Sequence, residues 1–363
     1  MVDPVRGPRV AVSSLEGFCA AALSSVGVPR EDAITVATVM VRNEMRGISH
    51  GVGILDGYAA HILEGGMNPA PEIAVVRDSG ATVLLDGNAG LGPLIACRAM
   101  SLAIERAEQH GIALVTARDG NNFAAAGYYA KMAADAGLVG LAMTNADPTM
   151  PVAGAAGRVV GNNPFACAVP GPSGEAVYLD IAMSAVAGTK LAIASREGVR
   201  VSEGWVTDEQ GRPTTDPAAF AAGGALAPMA GYKGSGLALM VEALTGVLSG
   251  AAIMAEMNDW KQQPALRSNQ AHTCIAIAID SLMPVAEFQD GMARLAEQVA
   301  AAHPAPSTER LYLPGQIEHG RERDAVENGV PLRPASVEGL RNLAKATGQQ
   351  SQLAALLKGH VDA

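Results

Sequence analysis

Three short stretches carry side chains that could hold a ligand or take part in chemistry. The first, RGISHGVGI (46–54), places Ser49 and His50 directly after the end of a predicted helix. An imidazole titrates near neutral pH, so His50 could pass a proton to or from a reacting group. A histidine at a helix C-terminus also has a purely structural explanation, because the helix dipole favours a positive charge there. RDGNNFA (118–124) and VGNNP (160–164) contain paired asparagines that can bind ligands but cannot move protons, and each also fits an ordinary turn.

Motifs for several common chemistries are absent from the sequence. There is no G-x-G-x-x-G after a strand, no P-loop, no H-E-x-x-H and no G-x-S-x-G elbow. The seven histidines are scattered and offer no close pair of metal ligands, so no metal site is predicted. What remains is a set of Gly- and Asn-rich loops at the ends of predicted strands, where main-chain N–H groups can approach a ligand closely.

The composition is that of a globular protein that does not bind nucleic acid. The chain has 363 residues, 49% hydrophobic and 17% charged, with a formal net charge of −10. Nucleic acid binding requires a basic face, which this charge disfavours. The four cysteines form no C-x-x-C pair and are interpreted as reduced thiols. The longest apolar stretch, near 243–255, is interrupted by polar residues and glycines, so we expect no membrane partner and a soluble, cytoplasmic protein.

Hydrophobic periodicity predicts helices at both ends of the chain and a mixture of helices and strands between them. Apolar spacing indicates helices near 14–27, 30–47 and 57–66 and again near 335–348. Strands are predicted within 72–90 and at 112–118, 138–146, 165–171, 176–184 and 272–280, with helices at 90–111, 124–137, 233–250 and 284–303. Residues 197–228 are expected to be a long irregular excursion. This pattern indicates an α/β or α+β fold but does not distinguish a parallel from a mixed sheet.

Taken together, the loops resemble one family over residues 10–350. The matching stretches are RGISHG followed by Tyr58 and GGMNP (65–69), NFAAAGYYA (122–130), GNNPFACAVPG (161–171), LDIAMS (179–184), KGSGLAL (233–239), LSGAA (248–252) and LPG (313–315). They are similar to the malate/L-lactate dehydrogenase-like family of NAD(P)-dependent oxidoreductases, which includes ureidoglycolate, sulfolactate and diketogulonate dehydrogenases and piperideine-2-carboxylate reductases. The resemblance implies a non-Rossmann, mixed and largely antiparallel sheet domain at 76–324. It also implies a helical domain built from 1–75 plus 325–363, and a homodimer with active sites near the subunit contact.

The resemblance also implies roles for individual residues. His50 would be the catalytic proton donor, oriented by Ser49, while NADH or NADPH supplies hydride to a small-molecule substrate. The cofactor-binding positions are Asn122, Phe123, Ala124, Ala125, Asp180, Ile181, Ala182, Ser184, Lys233, Gly234 and Gly315, and the substrate-binding positions are Ile54, Asn162, Thr189 and Lys190. The carboxylate of Glu318 disfavours a 2′-phosphate and so favours NADH, although both cofactors stay open.

Besides the segment at 316–318, which contains Glu318, three positions depart from the pattern of the family. Ile54 stands where members commonly carry an arginine for the substrate carboxylate, a grip that an aliphatic side chain cannot supply. Asn122 replaces a histidine, and Asn162 replaces a threonine. The first hypothesis is therefore a reductase of a keto compound or cyclic imine with an altered pocket. A member doing non-redox acid–base chemistry and a catalytically silent dimeric binding protein are the alternatives.

Overall fold

The structure is a computed structural model that describes residues 7–358. The outermost residues of the predicted helical domain, 1–6 and 359–363, lie outside the described residues. The strands within the described range are β1 (Arg9–Val10), β2 (Ala74–Asp78), β3 (Thr82–Asp86), β4 (Ile112–Gly120), β5 (Val139–Thr144), β6 (Phe165–Val169), β7 (Val177–Ile181), β8 (Val206–Thr207), β9 (Pro213–Thr214), β10 (Ala225–Leu226), β11 (Gln270–Ile277) and β12 (Val330–Pro331). The helices are α1 (Val12–Ser25), α2 (Arg30–Met45), α3 (Leu55–Glu64), α4 (Gly92–His110), α5 (Ala126–Asp135), α6 (Gly188–Glu197), α7 (Ala218–Ala221), α8 (Tyr232–Glu242), α9 (Val285–Ala301), α10 (Gln316–Asn328), α11 (Pro334–Thr347) and α12 (Gln350–Lys358).

A seven-stranded mixed sheet forms the centre of the molecule, in the order β2-β3-β4-β11-β5-β6-β7. Only β3 and β4 run parallel, and the other neighbouring pairs are antiparallel. Cys274 of β11 pairs with Val115 of β4 on one side and with Ala142 of β5 on the other. A strand from late in the chain therefore lies between two early ones. This arrangement brings the loops at the ends of β4 and β5 together with the start of β11.

Helices pack on both faces of this sheet. On one face α4 and α5 bury alanines together with larger aliphatic and aromatic side chains, among them Ile95 and Tyr129, against alternate residues of the strands. The high alanine content of this layer lets the helices approach the sheet closely. On the opposite face α8 buries Ala238 and Val241 with Met143 and residues of the 150–229 segment. The α8 helix continues into a π-helical turn at Ala243–Val247.

A separate hydrophobic core joins the helices of the two chain ends. In α1 the buried residues Leu15, Phe18, Cys19, Ala22 and Leu23 follow the helical spacing expected from the sequence. They pack in one cluster with residues of α2, α3, α11 and α12. The short strands β1 and β12 also pair, joining the N-terminal and C-terminal segments. The domain boundaries themselves stay a prediction.

Several elements were not apparent in the sequence. The segment expected to be irregular carries α7 and the small antiparallel sheet β10-β8-β9. Its strands are two residues long, too short to show a period-2 pattern. Helices α6 and α10 also went unpredicted: α6 buries only Leu191, and α10 buries only His319 and Ala325. No helix in residues 7–358 has the length and apolarity needed to cross a bilayer.

Candidate active site

A cleft of about 580 Å³ opens at the end of the central sheet where β4, β5 and β7 finish and β6 and β11 begin. A volume of this size lies in the range of small-molecule and cofactor sites. Its lining residues are Ile48, Ser49, His50, Asn122, Phe123, Ala124, Ala125, Ala126, Thr144, Ala146, Asn162, Pro164, Tyr178, Leu179, Asp180, Ala182, Ala187, Gln270, Tyr312, Leu313, Pro314, Gly315, Ile317 and Glu318. The cleft thus gathers all three stretches that the sequence singled out, although they lie far apart in the chain.

Ser49 and His50 reach the cleft on the loop that follows α2. The Ser49 hydroxyl lies 3.4 Å from His50 Nδ1, and the amide Nδ2 of Asn43 donates to the His50 main-chain oxygen at 3.1 Å. Nε2 of His50 has no hydrogen-bond partner in the part of the chain that the structure describes. The imidazole is therefore held on its Nδ1 side and by its backbone, and Nε2 is available to a ligand.

The charge state of His50 is set by its surroundings. Burial and, to a smaller extent, the positive charges of Lys261 and Arg333 together lower the pKa of His50 to about 4. The imidazole is then uncharged at neutral pH and can accept a proton. The two positive charges also make this part of the cleft favourable for an anion.

The loop after β4 is fixed by its own asparagines. Asn121 donates to the main-chain oxygens of Ala89 (2.9 Å) and Gly90 (3.1 Å) and accepts from Ser268 Oγ at 2.9 Å. Oδ1 of Asn122 accepts the N–H of Ala124 at 2.9 Å, which holds Ala124 at a φ of 68°. Asn122 therefore shapes the loop, and its Oδ1 is already engaged.

Tyr58 and Trp260, which the sequence did not mark as site residues, brace this loop from the helical side. The hydroxyl of buried Tyr58 donates to the Asn122 main-chain oxygen at 2.7 Å. Trp260 meets the Tyr58 ring edge-on at 5.5 Å and stacks on His61 at 4.6 Å, and the Trp260 carbonyl lies 2.6 Å from His61 Nε2. These contacts hold residue 260, and with it the adjacent Lys261, against α3 beside the cleft.

The second asparagine pair divides into one cleft residue and one buried residue. Asn162 lines the cleft, and its main-chain oxygen accepts the N–H of Met183 at 2.8 Å. Asn163 is fully buried, accepts the N–H of Ala146 at 2.9 Å, and donates to the Glu242 carboxylate at 2.6 Å. Glu242 also accepts from Asn145 and from the N–H of Met254. This satisfied network fixes the wall of the cleft, a role that the sequence alone did not reveal.

Asp180 lies at the first turn of α5. A Cβ on Gly127 would sit 2.8 Å from Asp180 Oδ2, so only glycine permits this approach. Burial raises the pKa of Asp180 to about 6, while the Gly127 N–H and the Arg46 charge oppose that rise. The main-chain N–H groups at the start of α5 are thus partly used, that of Ala124 by Asn122 and that of Gly127 by Asp180. The carboxylate is instead suited to accept hydrogen bonds from hydroxyl groups.

Most of the residues predicted for the site line this one cleft. They are Ser49, His50, Asn122, Phe123, Ala124, Ala125, Asn162, Asp180, Ala182 and Gly315. Glu318, on which the expected choice of cofactor depended, lies in the same lining. Phe123 is supported from behind by the buried ring of His272, stacked at 4.8 Å.

Three other predicted residues lie outside the lining. Ile54 precedes α3 and packs against the helical core. Ile181 packs into the core on the α8 face of the sheet. Ser184 is buried and donates to the main-chain oxygen of Val186 at 2.9 Å. Their roles in binding stay predictions.

The remaining predicted residues begin helices near the cleft. Thr189 and Lys190 lie in the first turn of α6, directly after the lining residue Ala187. Lys233 is exposed at the start of α8, and Gly234 packs on the carbonyls of the 183 and 229 peptides, where a Cβ would lie within 2.7 Å of both oxygens. None of the four lines the cleft within the described residues.

The lining suits an extended ligand that carries both ring and hydroxyl groups. A Cβ on Gly315 would lie 2.6 Å from the ring of Tyr178, so this turn lies as close to the neighbouring strand as a glycine allows. The apolar wall formed by Phe123, Leu179 and Leu313 can cover planar rings, while the Asp180 carboxylate can accept ribose hydroxyls. A nicotinamide dinucleotide fits this donor and acceptor set. A cleft with this donor and acceptor set beside an uncharged histidine indicates the class of nicotinamide-dependent oxidoreductases.

Comparison with known proteins agrees with that class. Residues 10–341 match the family model described as malate/L-lactate dehydrogenase. The malate dehydrogenase of Pyrococcus horikoshii is 35% identical over 348 residues, covering 94% of this chain and 96% of that protein. The NAD(+) ureidoglycolate dehydrogenase of Escherichia coli O157:H7 is 32% identical over 311 residues, covering 85% and 88%. The structure of the Δ1-piperideine-2-carboxylate reductase of Pseudomonas syringae pvar. tomato superposes with a TM-score of 0.82 at 29% identity, covering 93% of this chain and 99% of that one.

The chain therefore belongs to the malate/L-lactate dehydrogenase family, and it is a dehydrogenase that uses a nicotinamide cofactor. The resemblance found in the sequence is confirmed. The hypothesis of a catalytically silent binding protein loses its support.

Proposed function

We propose that the protein interconverts a small 2-hydroxy acid and the corresponding 2-keto acid, with His50 transferring the proton. The observation that carries the proposal is an uncharged imidazole in the same cleft as a donor and acceptor set that fits the dinucleotide. The bound cofactor would accept or supply hydride at carbon. His50 would remove the hydroxyl proton during oxidation and return it during reduction.

The direction of proton transfer follows from the surroundings of His50. The lowered pKa favours the role of base before the substrate binds. A carboxylate placed near the ring favours the charged imidazole and would raise its pKa. An anionic substrate therefore helps His50 hold the proton that it must donate in the reductive direction.

We propose Lys261 as the cation that replaces the missing family arginine. Its charge acts on His50 and also on Asp147, whose pKa is nevertheless raised to about 6 by burial and by Asp259. Trp260 anchors this part of the chain beside the cleft. Lys261 is exposed, whereas Arg333, the other cation that acts on His50, is hydrogen-bonded to Glu44. Lys261 is therefore the cation with more freedom to meet a substrate carboxylate.

Reduction of a cyclic imine acid is the second candidate reaction. It is favoured by the likeness to a piperideine-2-carboxylate reductase and by the loss of the histidine at Asn122. In that reaction His50 would protonate nitrogen in place of oxygen. Comparing turnover of 2-keto acids and cyclic imine acids with the same enzyme separates the two candidates.

For the cofactor we propose NADH. Glu318 lines the cleft close in sequence to Gly315, and a carboxylate there repels a 2′-phosphate. We further propose that binding is of a non-Rossmann kind, because antiparallel strands surround the site and the dinucleotide fingerprint is missing. Titrating the protein with NADH and with NADPH, followed by nicotinamide fluorescence, tests both the class and the preference. No response to either cofactor at millimolar concentration would reject the proposed function.

A lysine substitution tests the proposed recognition of the substrate. Lys261→Met should raise the KM for a 2-keto acid roughly tenfold, since one charged hydrogen bond is worth about 1.5–3 kcal/mol. The Kd for NADH should stay unchanged. Lys345→Met, on an exposed position of α11, is the matched control. An unchanged KM in Lys261→Met would show that another group binds the carboxylate.

We also propose that the protein is a homodimer in the cytoplasm, joined through the outer face of α8 and its extension. Exposed apolar side chains recur along this face on successive turns: Tyr232, Leu237, Met240, Leu244, Val247 and Leu248. A contiguous apolar surface of this kind is typical of a subunit interface. Met240→Lys combined with Val247→Lys should shift the sedimentation coefficient to that of a monomer, and exposed Leu282→Lys should not. A wild-type protein that sediments as a monomer would disprove the dimer.

A further inference from the structure

Arg333 links the C-terminal part of the chain to the loop that carries His50. It is the residue directly before α11, and its guanidinium extends to the end of α2. Nη1 donates to the main-chain oxygen of Gly47 at 3.1 Å, and Nη2 donates to that of Ile48 at 2.5 Å. Both carbonyls belong to the turn that leads into Ser49 and His50.

Glu44 holds this guanidinium in place. The carboxylate lies in the last turn of α2 and is completely buried, with 0% of its side-chain surface exposed. Oε1 accepts from Arg333 Nη2 at 3.2 Å and from Ser336 Oγ at 2.7 Å. A charge buried this deeply is stable only with a partner, so Glu44 and Arg333 depend on each other.

We propose that Glu44 and Arg333 are positioning residues for His50, acting through the turn at residues 47–48. Arg333 holds that turn from the C-terminal side, and Asn43 holds the His50 carbonyl from α2. The planar fork of an arginine spreads its donors over separate nitrogens, here Nη1 to one carbonyl and Nη2 to a second carbonyl and the carboxylate, a spread that the single ammonium nitrogen of a lysine does not match. The inference rests on the proposed role of His50 in proton transfer.

Arg333 also contributes to the charge around His50. The groups that face the imidazole are Lys261 from the 254–269 loop and Arg333 from the start of α11, with the hydroxyl of Ser49 alongside. Glu44 lies behind Arg333 and partly offsets its charge. Removing the guanidinium takes away a positive charge that opposes protonation, so the pKa of His50 should rise. A residue that stabilises the fold without acting on the His50 loop would leave this pKa unchanged.

Two substitutions separate the geometry of Arg333 from its charge. Arg333→Met removes both, and Arg333→Lys keeps the charge but loses the fork. The matched control is Arg323→Met, which removes an arginine that pairs with Glu175 at the exposed surface. The readouts are kcat, the Kd for NADH, the melting temperature, and the pKa of the His50 ring by NMR titration, with its signal assigned from a His50→Gln variant. The NMR titration needs no substrate, so it remains decisive if the proposed reaction is wrong.

In Arg333→Met we expect the pKa of His50 to rise by roughly half to one unit, as for loss of one nearby charge. We expect kcat to fall roughly 10- to 100-fold, as for a misplaced catalytic group, with little change in the Kd for NADH. Arg333→Lys should lower kcat and leave the His50 pKa at its wild-type value. Arg323→Met should change neither.

Either of two results would overturn the inference. One is an Arg333→Met protein that melts earlier but keeps the wild-type kcat and His50 pKa. The other, which decides the matter even if Arg333→Met does not fold, is an Arg333→Lys protein with wild-type kcat.

Discussion

The activity of the enzyme at acid pH tests the lowered pKa of His50 most directly. In the oxidative direction the imidazole must be neutral to accept a proton. With the pKa lowered to about 4, about 90% of His50 is neutral at pH 5. An ordinary histidine, with a pKa near 6.5, would be about 3% neutral at the same pH. The environment of His50 therefore predicts roughly 30-fold more kcat/KM at pH 5 than an unperturbed histidine would allow.

The measurement is kcat/KM for oxidation of a 2-hydroxy acid from pH 8 to pH 4.5, followed by the absorbance of the reduced nicotinamide. This parameter reports groups on the free enzyme. Two carboxyl groups titrate in the same interval, because burial raises the pKa of both Asp147 and Asp180 to about 6. The profile is therefore repeated with Asp147→Asn and Asp180→Asn, and circular dichroism confirms that each protein stays folded.

Loss of the imidazole should have a much larger effect than any of these changes in pH. His50→Gln is expected to lower kcat by roughly 10²- to 10⁴-fold at all pH values, the usual contribution of a general base. A kcat/KM that halves near pH 6.5, in the wild type and in both aspartate variants, would refute the reasoning from burial and charge. A His50→Gln enzyme with full turnover would remove His50 from the mechanism altogether.

Three further outcomes follow from the packing around the cleft. Tyr58→Phe leaves the Asn122 carbonyl without its 2.7 Å donor, so we expect a loss of about 1–2 kcal/mol in the free energy of unfolding and weaker NADH binding. A Tyr58→Phe protein with wild-type stability and an unchanged Kd for NADH would contradict this role. Gly127→Ala would bring a Cβ to 2.8 Å from the Asp180 carboxylate and should therefore raise the Kd for NADH. The control is Gly320→Ala, because a Cβ at residue 320 meets no atom within 4 Å. Equal Kd values for the two variants would contradict the close approach of Gly127 to Asp180. Burial lowers the pKa of His272 to about 3, so the unfolded chain protonates this residue as the pH falls below 6.5 while the folded protein does not. Protonation of the unfolded state should therefore lower the free energy of unfolding by about 3 kcal/mol between pH 7 and pH 4. Denaturant unfolding of wild type and His272→Gln at both pH values checks this, and parallel changes in the two proteins would exclude His272 as the cause.

The sequence alone determined the features that depend on local chemistry and on repeated patterns. Helices such as α1, with apolar residues at regular spacing, and most strands of the central sheet were predictable because periodicity records which face is buried. The family could be recognised because loops such as those at Ser49-His50 and at residues 161–171 keep their residue types in order along the chain. The missing arginine at Ile54 and the asparagine at position 122 were visible in the same way.

Only the tertiary structure decided which distant residues meet. The pairing of β11 between β4 and β5, the bracing of Asn122 by Tyr58, and the contact of Arg333 with the His50 loop join segments separated by many residues, and no local pattern records them. The charge state of His50 is likewise a property of the fold, because it arises from burial and from cations at positions 261 and 333. The type of a side chain sets which reactions it can take part in, but its pKa and its contacts depend on the groups that the folded chain places around it.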